Sequence, residues 1–398
     1  MPHIMNYILF DENIVRNNLL PLTFTRPVCD IRVGILTIRE KWEKRLKAPT
    51  STLTDGYLSV KFPFVKMAEN VLINSSVCPN DEIIEAIRQI KPNQTIVYND
   101  TIIALHVKEE DLDNVSDPAA EGIEEIQLKE APVKINHTWE IFSKNEICLV
   151  DDFKLLTKGR KSQKLSETNR VAGAGDIFVE KGAKVEFTTL NATTGPIYIG
   201  KDAEIMEGAV IRGPFALCEG AIVKMAAKIY GPTTIGPYCR VGGEVNTSVL
   251  FGYSNKAHDG FLGHSVIGEW CNLGADTNTS NLKNTYDNVR LWSYSKQTFV
   301  NTNLQFCGLI MGDHSKSAID TMFNTGTVVG VSANVFGAGF QRNFIPSFTW
   351  GGTSTNYSLN KAIEVAEIVF QRRNRVFDET EKALLTSVYN LTLKNKYL

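Results

Sequence analysis

The stretch IGKDAEIMEGAVIRGPFALCEGAIVKMAAKIYGPTTIGPYCRVGGEV, residues 199–245, decides the fold. Ile199, Ile205, Ile211, Leu217, Val223, Ile229, Ile235 and Val241 recur at every sixth position without a break. Four residues after each stands a second, mostly small column: Ala203, Ala209, Phe215, Ala221, Ala227, Thr233, Cys239 and Val245. A helix repeats at about 3.6 residues and a half-buried strand at about two, so neither explains the pattern. A fixed period of six marks a β-helix, in which each hexad makes one short strand and a corner. The aliphatic column points inward and stacks coil on coil, and the small column lets the chain turn. Such a solenoid has no closed pocket of its own, so function is expected in loops, grooves and subunit contacts.

Outward from that stretch, hexads begin near Gly175 and run to about Ala338, with two changes of phase. After Val241 the register moves by two, giving Val249, Phe261, Ile267 and Leu273 as inward positions. It moves by two again to Met311, Phe323, Val329 and Val335. Each change predicts a loop leaving the prism, the first near 246–249 and the second within 278–310. Residues 359–373 and 378–391 carry helical periodicity and are expected to cap the open end of the solenoid, whose last strands would otherwise be exposed.

The amino-terminal side reads differently. Tyr7–Phe10, Val71–Ile73, Thr95–Val97 and Ile102–Leu105 are strand candidates, and Ile35–Leu46 and Asp81–Ile90 are helix candidates. Asp81 and Glu82 favour the start of the second helix. Residues 107–135 are acidic and irregular, which predicts an exposed insertion. The polar run KGRKSQKLSET, Lys158–Thr168, reads as a linker. The domain expectation is therefore an α/β domain over 1–157, a linker over 158–169, a β-helix over 170–350 and a helical cap over 355–398.

Composition narrows the class. A chain of 398 residues exceeds one compact core. The formal net charge of −2 gives no drive toward nucleic acid or an anionic membrane. No stretch approaches the roughly 20 apolar residues of a membrane span. The start, MPHIMNYILF, lacks a basic segment and a cleavage site. Seven scattered cysteines without a CxxC pair read as reduced thiols, so a cytoplasmic location is expected.

Only six histidines are present, and three fall in the shifted hexads: His258, His264 and His314. Three histidines are one way to hold zinc, although their spacing of six and fifty matches no ligand pattern. Polar loop histidines without a role are the second reading. The third makes His258 a general base, since an imidazole titrates near neutrality and can take a proton from an amine attacking a thioester.

The run His258-Asp-Gly-Phe261-Leu-Gly-His-Ser-Val-Ile-Gly, then Asn272-Leu-Gly-Ala275-Asp-Thr, then Asn281-Leu carries a resemblance. Segment 244–283 resembles the acetyltransferase domain of the bifunctional N-acetylglucosamine-1-phosphate uridylyltransferase/glucosamine-1-phosphate acetyltransferase family, its archaeal-type members above all. The resemblance implies a left-handed parallel β-helix and a homotrimer with sites in the grooves between subunits. It implies His258 as the base that activates the sugar amine, with Asn281 beside it. Phe261 and Asn272 would line the amino-sugar site, and Ala275 and Ser317 would lie on the acetyl-CoA side. Lys228 stands where that family has a phosphate-binding arginine, Asn246 replaces its lysine, and Lys283 could reach an acceptor phosphate from the loop.

A second resemblance covers the amino-terminal domain. Leu19-Leu20-Pro21-Leu22-Thr23-Phe24-Thr25-Arg26-Pro27-Val28 keeps the P-L-T and the later proline of sugar-1-phosphate nucleotidyltransferases. That family's phosphate-cradling glycines are absent, and Val71-Leu-Ile-Asn-Ser-Ser76 lacks the metal-binding aspartate. With Arg32–Trp42, the pattern is similar to a divergent sugar nucleotidyltransferase group. Arg16, Arg26 and Arg32 are the candidate phosphate ligands.

The favoured expectation is acetyl-CoA-dependent N-acetylation of a hexosamine 1-phosphate in nucleotide-sugar biosynthesis, beside a degenerate nucleotidyltransferase domain. The partners would be a sugar phosphate and acetyl-CoA, with no resident metal. The first rival is an active sugar-1-phosphate nucleotidyltransferase using a nucleoside triphosphate and Mg²⁺. The second is a non-catalytic trimeric scaffold that binds sugar nucleotides.

Overall fold

The computed structural model describes residues 5–114, 124–351 and 355–394. The chain divides into two compact units. The first holds Met1–Asn17, Arg26–Ile31 and Leu36–Asn136, and the second holds Asn18–Thr25, Arg32–Ile35 and His137–Leu398. The compact boundary at Asn136 thus falls before two helices that the sequence assigned to the first domain. Of the acidic stretch 107–135, residues 115–123 lie outside the described residues.

The first unit is a six-stranded sheet formed by β1 (Asn6–Phe10), β2 (Thr50–Leu53), β3 (Glu69–Asn74), β4 (Gln94–Tyr98), β5 (Thr101–Lys108) and β6 (Glu124–Gln127). Its order is β2-β1-β3-β5-β4-β6. β1 runs parallel to both neighbours, while β5 is antiparallel to β3 and β4. Short helices α1 (Asn13–Asn18), α2 (Ile38–Leu46) and α3 (Asp81–Gln89) flank it. Thr37 and Glu40 form a reciprocal capping box that starts α2, and Asn80 caps α3 by accepting from Ile83 N at 2.8 Å. The chain passes from β1 to β2 on one side and then to β3 on the other. The carboxyl ends of β1 and β3 therefore mark a topological switch point, where open α/β sheets hold their ligands.

The second unit is a parallel β-helix with three faces. The first face carries six strands from Arg170–Ala172 to Phe261–Gly263. The second carries nine from Ile177–Val179 to Phe344–Ile345, and the third carries ten from Lys184–Val185 to Thr355–Asn356. The single six-residue column resolves into three inward stacks, one per face. Ile199 pairs with Leu217 and Leu217 with Ile235; Ile205 with Val223 and Val223 with Val241; Ile211 with Ile229. All are buried in one continuous core, and each stabilises by about 1.5–3 kcal/mol through burial.

The first phase change differs from expectation. Val249 and Phe261 do not take the inward positions; Leu250 and Leu262 do, paired with Ile235 and Val245. No loop leaves the prism near 246–249. The coil instead shortens at Gly242–Gly243, where Val245 already stacks on Ile229. A Cβ on Gly242 would lie 2.4 Å from Ala257 O, and one on Gly243 would lie 2.8 Å from Asp259 Cα. Only glycine lets the next coil settle this closely. The second change follows the expectation. The chain leaves after Asn278–Thr279, forms an antiparallel hairpin from Arg290–Ser293 and Thr298–Asn301, and rejoins at Leu309–Met311. Met311, Phe323, Val329 and Val335 point inward as expected.

Three other segments sit differently from their sequence reading. Helices α4 (Thr138–Ser143) and α5 (Asn145–Thr157) belong to the second unit, where Asn145 Nδ2 donates to Pro232 O and Thr234 Oγ1. The polar segment read as a linker closes the first coil. Gln163 N donates to Val179 O, Gln163 Nε2 donates to Ala183 O, and Leu165 packs on the core. The carboxy-terminal helices α6 (Leu359–Gln371) and α7 (Glu379–Lys394) do more than cap an end. Tyr238, Tyr253 and Trp270 stack as a ladder at the corner between the second and third faces. Phe370 of α6 lies 3.8 Å from Trp270, and Arg373 donates to Asn255 Oδ1. Helix α6 therefore packs on this flank, while Tyr389 of α7 meets Phe348 near the final coil.

Candidate functional sites

The short coil at Gly242–Gly243 positions the most distinctive group of the second unit. Lys256 pairs with Val241, in a stack that otherwise runs through Val185, Ile205 and Val223. It is 1% exposed. Its ammonium donates to Gly242 O and His258 O, each at 2.9 Å. Burial pulls its pKa down to about 8, against the attraction of Asp259, Asp276 and Glu244. A buried ammonium needs such partners. They pin the corner Ala257–Gly260, on which His258 stands exposed between the third and first faces. Sequence reading missed Lys256 because the inward column was taken to be apolar; a lysine six residues before Leu262 was the available signal.

The other candidate residues spread along the first face. Phe261 is half-buried beside Glu244, and Lys228 lies beyond Glu244 on the same ladder. Lys228 Nζ stands 3.5 Å from Glu244 Oε2, and Tyr230 OH donates to Glu244 Oε1 at 2.6 Å. Asn281 is brought to His264, not to His258. Its amide donates to His264 Nδ1 at 2.9 Å, at the end of strand Phe261–Gly263 away from His258. Burial lowers the His264 pKa to about 4, and its ring stacks on Phe306 and meets the edge of Phe142. Asn272 is exposed on the third face, and Ala275 O accepts from Asp320 N. Ser317 is buried against Thr277 at 2.9 Å. Lys283 Nζ donates to Asn288 O within its own loop.

The three histidines considered for zinc occupy three different corners of the prism: His258 third-to-first, His264 first-to-second and His314 second-to-third. His314 sits against Trp270 and Phe370. Among the described residues, no group of three His, Cys, Asp or Glu side chains could hold a metal ion.

His264 also makes a pH prediction. Its folded pKa lies near 4 against 6.5 for the free side chain. Between those values the unfolded chain binds the extra proton, so stability is full above pH 6.5 and is lost as pH falls toward 4. His264→Gln keeps an acceptor for Asn281 and removes this titration. The drop in melting temperature between pH 7 and pH 5 is expected to be smaller in the variant; an equal drop contradicts the assignment.

In the first unit, the carboxyl edge of β1 is organised by Asp11. Its carboxylate accepts from Val28 N at 3.0 Å, Ser75 Oγ at 2.7 Å and Thr54 Oγ1 at 2.6 Å, and faces Arg16 Nε at 3.7 Å. Burial raises its pKa against the pull of these donors. Arg16 also pairs with Asp55 at 2.9 Å and donates to Tyr57 OH. Asn74 Nδ2 and Lys134 Nζ meet Glu12 Oε2 on the same edge. Arg16 and Arg26 are both buried. Arg32, in the second unit, donates to Phe251 O at 3.1 Å and to Ile35 O. Two of the three phosphate candidates therefore direct their donors to protein groups: Arg16 to carboxylates and Tyr57, Arg32 to main-chain carbonyls.

Residues 7–161 match the family model described as sugar nucleotidyl transferase. The match continues through α4 and α5. The chain is also similar to a solved structure described as a hexapeptide transferase family protein from Anaplasma phagocytophilum. Identity is 16%, the alignment covers 58% of this chain and 93% of that one, and the TM-score is 0.15. No curated protein matches the chain. Among the described residues, no helix is long and apolar enough to cross a membrane.

Proposed function

We propose that the protein transfers an acetyl group from acetyl-CoA to the amine of a hexosamine 1-phosphate, with His258 as general base. The supporting observation is the Lys256 clamp, which spends a buried ammonium on holding the corner that presents His258. The base takes the ammonium-derived proton as nitrogen attacks the thioester carbonyl; the C–S bond then breaks and the thiol leaves protonated. Backbone amides of neighbouring coils are the available donors for the oxyanion.

An exposed imidazole on an open corner needs a second wall to exclude water, and a neighbouring copy in a homotrimer would supply one. Acetyl-CoA and the sugar phosphate are the substrates in this reading. Asn281, held by His264, is a positioning residue for its own corner. Thiol release from acetyl-CoA, dependent on an amino-sugar 1-phosphate, is the expected signal. Its absence across glucosamine, galactosamine and mannosamine 1-phosphates would remove the proposal.

A second reading has its own support. The sugar nucleotidyl transferase match covers 7–161, and the polar edge of β1 and β3 lies where such sheets bind nucleotides. In this reading, a nucleoside triphosphate and a sugar 1-phosphate with Mg²⁺ release pyrophosphate. No pyrophosphate with any of the common nucleotides would leave the domain without transfer activity.

A further inference from the structure

The excursion that leaves the β-helix after Thr279 builds an open depression of about 420 Å³. Lys283 and Arg290 stand on its wall with Thr298 and Phe299 of the hairpin. Asn324, Thr325 and Asn343 come from the coils of the prism. Among the described residues, no acidic residue lines it.

Both cations keep donors in hand. Lys283 Nζ makes one bond, to Asn288 O at 2.9 Å. Arg290 Nη2 makes one, to Phe299 O at 2.6 Å, which ties the guanidinium across the hairpin. Among the described residues, neither side chain has a carboxylate within ion-pair distance. The prism side is held in place by its own bonds. Thr325 Oγ1 and Ser280 Oγ lie 2.6 Å apart, and Asn343 Nδ2 donates to Thr325 O at 2.6 Å.

We infer that this depression is a binding site for a phosphorylated sugar. The paired cations without a counter-charge call for a dianion, and a guanidinium is suited to gripping phosphate oxygens two at a time. The Asn and Thr groups match sugar hydroxyls, and Phe299 gives one apolar wall. The volume lies in the range of small-molecule sites. The inference rests on the sugar-phosphate half of the proposed function and not on acetyl transfer.

Calorimetric titration of the full chain with glucosamine 1-phosphate tests it, with inorganic phosphate and glucosamine as separate arms. Wild type and His258→Ala are expected to bind the sugar phosphate alike, and each partial ligand about tenfold more weakly or worse. Arg290→Gln, at an exposed position, is expected to weaken sugar-phosphate binding by about tenfold or more, with Lys283→Gln acting in the same direction. Wild-type affinity in Arg290→Gln, no binding of the sugar phosphate, or phosphate binding as tightly as the sugar phosphate would each overturn the site. Arg290-dependent binding without acetyl transfer would sink the proposed reaction and keep the site. Transfer that is unaffected by Arg290→Gln, with binding also unaffected, would do the reverse.

Discussion

His258→Ala is expected to lower acetyl transfer by about 10²–10⁴-fold, the contribution of a positioned general base. The fold should be untouched, because His258 is exposed and its described role in the corner is carried by its main-chain carbonyl, which accepts from Lys256 Nζ. An alanine keeps that carbonyl. The melting temperature should therefore stay within about 1 °C of wild type, since exposed substitutions away from special features change stability little. The loss should fall on kcat, because the proton moves only in the transition state. Turnover equal to wild type would contradict the assignment of the base.

The second large effect is one of stability. Asp11→Ala is expected to destabilise the first unit by about 3–5 kcal/mol, the scale for removing one partner of a buried charged pair. The substitution strands the Ser75 and Thr54 hydroxyls and the Val28 amide, all of which now end on one carboxylate. It also leaves Arg16 with Asp55 as its described carboxylate partner. For a unit of this size the melting transition should fall by about 6 °C or more. Asp11→Asn keeps an acceptor for two donors and should cost less. A melting transition unchanged in Asp11→Ala would show that Asp11 does not organise the strand edge.

The six-residue column made the β-helix legible because each inward aliphatic must stack on its neighbours. Ile199 through Val241 obey that rule on all three faces. The column misled where the coil shortened. The coil loses two residues at Gly242–Gly243, where Val245 stacks on Ile229, and one more before Leu250, which stacks on Ile235, so Val249 and Phe261 fall one position off the inward track. The same step hid Lys256, since hydrophobic periodicity has no place for an ammonium that finds main-chain carbonyls inside the prism.

The candidate site was partly legible. A linear motif names residue types but not corners, so His258 and Asn281 read as neighbours although one strand separates them. The arginines near the amino end read as phosphate ligands because their partners are distant in sequence. Asp55 lies far from Arg16, and Phe251 O far from Arg32. Strand β2, TSTL, escaped notice because a short polar edge strand carries little hydrophobic alternation. Helices α4 and α5 read as part of the first domain, yet Asn145 binds Thr234 of the β-helix.

The most direct measurement is mass-spectrometric detection of N-acetylated product from acetyl-CoA and glucosamine 1-phosphate, run side by side with wild type and His258→Ala. The proposed function predicts product from the wild type and a loss of about 10²-fold or more in the variant. No product from folded wild-type protein, or equal product from both, would contradict acetyl transfer at the Lys256-held corner.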